Sequence, residues 1–233
     1  PLTAIATYAQ ASRRLLLSGA TDSSDLLEAL DKIDAQAQRA SRVISSIRQL
    51  SKKHGLICKD YLCVDLISEV VALAETYAHE KGKEIVLNLS QIPQDQQVRV
   101  DLIQTQQVLL NLINNAIESM LPENDKPEFG LNNDVESVVE QSASSNNILI
   151  LVKPLDEFML EVSVVDQGHG VDKAHSEQLF DAFFTTKPDG LGMGLSICHS
   201  IIASQGGDIY FNDNEFGGST FSVTLPISIG QQD

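Results

Sequence analysis

Basic residues are scarce: 16 Lys and Arg stand against 32 Asp and Glu in 233 residues, a formal net charge of −16. Nucleic acid is bound by clustered cations that displace counterions from the phosphates, so this balance excludes it as a partner. Cysteine is sparse as well. Cys58, Cys63 and Cys198 are odd in number and lack paired metal spacing, which predicts reduced thiols and no zinc site. The five histidines show no ligand spacing, and His169 reads as the variable residue within a glycine cluster. No apolar run approaches the roughly 20 residues of a membrane-spanning helix, and Pro1 begins no signal peptide, so the expectation is a soluble cytoplasmic chain with no membrane contact of its own.

What is present suffices for one sizeable domain and a smaller element, with 42% hydrophobic residues to fill a core. Charge divides the chain. Residues 1–57 hold eight Lys or Arg and five Asp or Glu, a balance of +3, which leaves −19 for the remainder. In this first section Leu26, Leu30, Ile33, Ala37, Ala40, Ile44 and Ile47 alternate spacings of four and three, the a/d seam of a heptad helix. Leu2, Ile5, Ala9, Ser12 and Leu16 repeat the pattern, and residues 18–24 supply the turn, with Ser23 or Ser24 as N-cap. Two such helices bury too little alone. Paired hairpins forming a dimeric four-helix bundle are expected, and a hairpin folded back on its own chain is the alternative.

The pattern changes after Lys52-Lys53-His54-Gly55, which sets a boundary at 57/58. An amphipathic helix runs over 64–78 with Asp65 near its start, followed by strands at 84–89 and 98–100 and a second helix carrying paired asparagines. Ile148–Val152 and Phe158–Val165 read as a hairpin across Pro154–Glu157, with Thr220–Leu225 closing the sheet. Mixed strands backed by helices define an α+β chain, its second part an α/β sandwich over 58–233. The acidic stretch 121–147 is longer than a connection needs and reads as a surface insertion, with a short helix over 134–141.

Four segments of this second part carry chemistry. They are Asn111-Leu-Ile-Asn-Asn115-Ala-Ile-Glu118, Asp166-Gln-Gly168-His-Gly170, Gly190-Leu-Gly192-Met-Gly194-Leu195 and Gly217-Gly218-Ser-Thr220-Phe. Asn111 and Asn115 lie four apart in an apolar helical pattern, so both amides share one face, where a carbonyl oxygen can ligate phosphate-bound magnesium; Asn115 is the better placed. Asp166 ends a strand, and its carboxylate can accept from the exocyclic amine of adenine. Gly168 and Gly170 allow a sharp turn close to a flat ring. Gly192 and Gly194 open an apolar helix whose free amides and positive end suit a polyphosphate. Taken singly, Gly217-Gly218 is an ordinary hairpin turn and Asn115 a satisfied helix residue. The ordered set points to ATP.

The segment from Leu179 through Phe180, Phe183, Phe184 and Lys187 to Leu195 resembles the phenylalanine box and second glycine box of bacterial two-component sensor histidine kinases. Their ATP-binding fold, the GHKL type, is shared with gyrase, the heat-shock chaperone and mismatch-repair ATPases. Pro1–Ala11 resembles the stretch after the phosphorylated histidine in the subfamily that often follows a PAS sensor. The resemblance implies a transmitter region: a dimerisation hairpin over 1–57 and an ATP-binding domain over 58–233. It implies nucleotide contacts at Asn115, Asp166, Gly168, Gly170, Lys187, Gly190, Gly192, Gly194, Leu195 and Thr220, with Mg2+ on Asn115 and catalytic roles for Asn111 and Lys187. Lys187 is then an ammonium near the terminal phosphates, or else a surface lysine, while Phe180, Phe183 and Phe184 anchor the lid by packing. Implied partners are a second copy of the chain and a response regulator receiver domain, and a parent anchored in the inner membrane is compatible with this.

Hydrolytic members of that superfamily carry a glutamate four residues before the magnesium asparagine. Here the residue is Asn111, an amide without a basic lone pair, which favours transfer of the γ-phosphate over hydrolysis. The acceptor histidine of the family pattern falls five residues before Pro1, and none of His54, His79, His169, His175 or His199 has a matching context. The chain is therefore expected to hold ATP without labelling itself. A nucleotide-binding pseudokinase scaffold and a hydrolytic ATPase are the rival classes.

Overall fold

The computed structural model describes residues 2–18, 25–37, 40, 56–121, 147–186 and 191–228. Backbone packing divides the chain into two units, Pro1–His54 and Gly55–Asp233. The expected caps at Ser23 and Ser24, Ile44 and Ile47 in the heptad seam, the helix over 134–141, and the site residues Lys187 and Gly190 lie outside the described residues.

In the first unit, α1 (Leu2–Ser18) and α2 (residues 25–37) lie side by side. Ile5, Tyr8, Ser12 and Leu15 on α1, and Leu26, Ala29, Ile33 and Gln36 on α2, are shielded at helical spacings of three and four. Lys32 joins the two helices: its ammonium lies 5.7 Å from the Tyr8 ring centroid and 2.6 Å from Glu28 Oε1. Part of the expected seam faces the other way. Leu16 and Leu30 are 55% and 49% exposed, and Ala9 and Ala37 are exposed too. A heptad read along one helix cannot distinguish the stripe that meets its sibling from a second apolar stripe beside it.

The second unit has two layers. The strands are β1 (Lys59–Leu62), β2 (Glu84–Asn88), β3 (Gln97–Val100), β4 (Asn147–Pro154), β5 (Met159–Val165), β6 (Ile209–Asp213) and β7 (Ser219–Pro226). They form a five-stranded sheet in the order β2-β4-β5-β7-β6 and a separate two-stranded ribbon, β1-β3. β2 and β4 run parallel; the other neighbours are antiparallel. Helices α3 (Cys63–Glu80), α4 (Leu102–Ser119) and α5 (Gly194–Ser204) complete the unit, with a 3-10 turn at Lys173–Gln178. Two expectations need correction. β7 does not close the sheet but lies inside it, because β6, unseen in the sequence, pairs along its far side; β1 was likewise not anticipated.

Strand alternation aims Ile148, Ile150 and Val152 of β4, Leu160, Val162 and Val164 of β5, and Phe221, Val223 and Leu225 of β7 at one core. Leu66, Ile67 and Val70 of α3 and Val108, Leu109, Leu112 and Ile113 of α4 fill it from the helical layer. Each large side chain so buried contributes about 1.5–3 kcal/mol. The opposite face of the sheet is polar at its centre. Glu161 there receives hydrogen bonds from Tyr210 and from Ser163 (2.9 Å) and pairs with Lys153 at 3.0 Å. Burial alone would raise the Glu161 carboxyl, yet these three partners hold it below its ordinary value.

Among the described residues no helix is long and apolar enough to cross a membrane, and no cluster of His, Cys, Asp and Glu is placed to hold a metal. The three cysteines are free thiols, with Cys63 and Cys198 buried.

Candidate functional site

The site is organised along α4. Asp101 caps the helix, its Oδ1 accepting from Gln104 N at 3.2 Å, and Gln205 at the end of α5 ties down the same turn by accepting from Asp101 N (2.7 Å) and Thr105 Oγ1 (3.1 Å). With Val108, Leu109, Leu112, Ile113, Ala116 and Ile117 committed to the core, Asn111, Asn115 and Ser119 form a half-exposed stripe at i, i+4 and i+8. That stripe spans about 12 Å at 1.5 Å per residue.

At one end of the stripe sits Asp166, 1% exposed, directly after β5. Its Oδ1 accepts from Gly168 N at 2.8 Å and Ser219 N at 3.2 Å, while its main-chain N donates to Ser219 O at 2.9 Å. Burial pushes this carboxyl above its ordinary value; the Gly168 and Ser219 amides, the Ser119 hydroxyl and His169 work against the shift. A Cβ on Gly168 would fall 2.2 Å from Ser119 Oγ, so only glycine lets the Asp166 loop rest on the end of α4. Gly170 lies against the Gly217 carbonyl, and Gly218 against Asp166 itself.

At the other end is Asn111. Its Nδ2 donates to Cys198 Sγ at 3.3 Å, and a Cβ on Gly194 would sit 3.1 Å from its Oδ1. Asn111 therefore meets the start of α5. Burial pushes the Cys198 thiol up to about 12, so the sulfur stays protonated beside Asn111. Met193 at the N-cap makes no side-chain capping bond, so that side chain does not compete for the amides of this turn or for the positive helix end. Gly192, at φ +63, occupies the left-handed region, and its carbonyl accepts from Phe183 N at 2.7 Å, joining the phenylalanine segment to the glycine segment.

The structure thus sets Asn111 and Asn115 on one stripe of α4, with Gly194 against Asn111 at one end and Asp166, Gly168 and the Gly170–Gly217 contact at the other, while Gly192 lies against the Phe183 backbone and Leu195 packs on the core. Thr220 is placed differently. It pairs with Val165, and alternation turns it away from the face that carries Asp166, whereas Ser219 shares that face and bonds to the carboxylate. Ser219, Ser119, Cys198 and Asn214 are the residues that sequence reasoning passed over. Phe180 packs on the core and Phe184 meets the His175 ring at 5.4 Å, but Phe183 stands 69% exposed at φ +72, so its hold on the segment is the backbone bond to Gly192 and not packing of its ring. A cavity of about 420 Å³ between α3 and α4 lies about 100° round α4 from the stripe, lined by Leu73, Ala74, Tyr77, Leu110, Asn114 and Glu118. Its walls are mainly apolar and it offers no array of amides, so it is not the polyphosphate site.

Residues 100–229 match the family described as Histidine kinase-, DNA gyrase B-, and HSP90-like ATPase, and residues 1–55 match the His Kinase A (phospho-acceptor) domain. The chain belongs to the histidine kinases. The sensor protein FixL of Bradyrhizobium diazoefficiens is 34% identical to this kinase chain over 227 residues, covering 97% of the chain and 41% of FixL. The chain spans less than half the length of the curated relatives it matches. Among solved structures, full-length ShkA in complex with AMPPNP matches with a TM-score of 0.63 and 25% identity, covering 88% of the chain and 38% of ShkA. ThkA in complex with the response regulator TrrA matches in fold with a TM-score of 0.64 and 24% identity, over 96% of the chain and 60% of the solved one. A helical first part and a mixed sheet backed by helices are thus the architecture of sensor histidine kinase transmitters, and the ATPase family to which the second part belongs binds ATP.

Proposed function

We propose that this chain binds Mg-ATP along the α4 stripe and presents the γ-phosphate for transfer to a histidine that precedes Pro1 in the parent protein, for relay to an aspartate of a response regulator. The observation that carries the reading is the polarity of the stripe. An adenine acceptor, Asp166, lies at the Ser119 end, and an uncapped helix N-terminus lies at the Asn111 end. Asp166 receives the exocyclic amine. Gly192, Gly194 and Leu195 offer amides to the phosphates, with the Lys187 ammonium and Gly190 completing the phosphate side. Asn115 supplies a carbonyl oxygen to Mg2+, a hard cation suited to neutral oxygen donors and phosphate together.

Asn111 supports transfer over hydrolysis. Its amide is no base, and its Nδ2 is already engaged by Cys198, so no group at that position activates water. The reaction then depends on alignment and charge stabilisation. None of the chain's own histidines is the acceptor in this reading. Dimerisation, which accompanies the phospho-acceptor domain, is assigned to the exposed apolar stripe of α1 and α2, with the chain working in the cytoplasm.

Calorimetric titration with Mg-ATP tests the proposal on wild type and Asp166→Asn. Because two backbone amides fix Oδ1, asparagine must put its carbonyl there and turn its NH2 toward the base, donor against donor. The loss is about 1–3 kcal/mol, or about five- to 150-fold in affinity. Equal affinities reject the site. Incubation with radiolabelled ATP should leave the chain unlabelled, whereas an acid-labile label on it would make one of its own histidines the acceptor.

A further inference from the structure

Asn214 follows the last residue of β6 and opens the turn into β7. Its Oδ1 accepts from Phe216 N at 3.0 Å and Gly218 N at 3.1 Å, a local bond pattern that any asparagine-led turn makes. The other end of the carboxamide does something local turn chemistry does not require. Nδ2 reaches across to the main-chain carbonyl of Asp166 and donates at 2.8 Å. One planar group thereby bolts the Gly217-Gly218 turn to the residue whose carboxylate faces the nucleotide. The Asp166 peptide is then held on both sides, N to Ser219 O and O to Asn214 Nδ2, while Oδ1 is held by two amides.

We infer that Asn214 is a positioning residue for the adenine acceptor: through the Asp166 carbonyl it fixes the direction of the carboxylate and so sets selectivity for a purine bearing a 6-amino group. The inference rests on the nucleotide reading of the site. A carboxylate free to swing satisfies the amine less well, and the amine tolerates misdirection poorly because a hydrogen bond weakens steeply away from linearity. A nucleotide without that amine loses nothing when Asn214 is changed. This separates positioning from a general structural role, which affects every ligand alike.

Two substitutions divide the functions of the carboxamide. Asn214→Ser keeps an oxygen that can accept from the turn amides but is too short to reach Asp166. Asn214→Asp keeps the acceptor and replaces the donor with an oxygen facing the Asp166 carbonyl. Titrations use the whole chain, Mg-ATP and the Mg complex of purine riboside triphosphate, which lacks the 6-amino group, with thermal unfolding to verify that each variant is folded. Both variants should lose about fivefold or more in affinity for ATP, the equivalent of one misdirected hydrogen bond, and keep wild-type affinity for purine riboside triphosphate. Combined with Asp166→Asn, neither should cost anything further. Equal losses on both nucleotides, additive losses with Asp166→Asn, or unchanged ATP affinity in a folded variant overturn the inference while leaving the nucleotide site intact. A wild type that binds neither nucleotide refutes the site itself, and the inference with it.

Discussion

Gly217 and Gly218 are adjacent, but an added methyl group meets different obstacles at each. Gly217 lies at φ +83, and a Cβ there would find nothing within 4 Å. Gly217→Ala therefore costs only the strain of a left-handed alanine, about 1–2 kcal/mol. For a domain of this size that lowers Tm by about 2–8 °C. Gly218 is not left-handed, so alanine suits its backbone, but the Cβ would fall 2.2 Å from the Asp166 carbonyl oxygen and 2.8 Å from its Oδ1. Neither atom can retreat, since the carbonyl is bonded to Asn214 and Oδ1 to two amides. Overpacking of this kind costs about 1–3 kcal/mol, and here it is discharged on the acceptor. Both variants should thus melt earlier, while only Gly218→Ala should lose ATP affinity in calorimetric titration. Gly217→Asn should recover part of the stability, because asparagine accepts the left-handed region. A Gly218→Ala protein that binds ATP as tightly as wild type, or a Gly217→Ala protein that does not, would refute the reasoning.

Three further outcomes follow from the site and the hairpin. Burial raises the Asp166 carboxyl, so the folded protein takes up this proton more readily than the unfolded chain; the group favours folding most at low pH, and that contribution is lost as pH rises through the folded value. The amine needs the ionised form, so ATP affinity should fall by up to about tenfold per pH unit below the raised value, and the difference between wild type and Asp166→Asn titrated across that range isolates this group from the phosphates. Asn115→Ala should remove most of the Mg2+ dependence of ATP binding while leaving the weaker binding of metal-free ATP unchanged; an undiminished Mg2+ dependence in the titration moves the metal elsewhere. Sedimentation at micromolar concentration should find a dimer, converted to monomer by Leu16→Glu with Leu30→Glu on the exposed stripe, and a dimer that survives both substitutions locates the interface on another surface.

Much of α4 was legible because one helix carries two periodic signals: the core stripe through Val108, Leu112 and Ile113, and the polar stripe through Asn111 and Asn115. β4 and β5 were equally plain, being apolar runs bounded by turn residues. β1 was not, because Lys59-Asp-Tyr-Leu62 is short and largely exposed and owes its conformation to β3, some 40 residues away in sequence. β6 was hidden for a related reason: an edge strand half open to solvent has no strong alternation to display. The confusion of Thr220 with Ser219 is one of parity, since a shift of one residue exchanges the faces of a strand and only the pairing with β5 settles it. Asn214 was passed over because its distinguishing partner, the Asp166 carbonyl, is distant in sequence. Phe183 shows the converse, an aromatic whose exposure comes from a backbone bond to Gly192 and not from its own hydrophobicity.

In the proposed site, with Ser119 toward the base and Asn111 toward the phosphates, α4 acts as a ruler with fixed graduations. Inserting or deleting one residue between those marks would turn one end about 100° against the other and change their separation by about 1.5 Å. Such a change would also rotate half of the core stripe toward solvent, so the length of this segment is locked by packing and by ligand together. Substitutions remain the open route to altered nucleotide preference, and each end of the ruler can be varied while the other keeps its geometry.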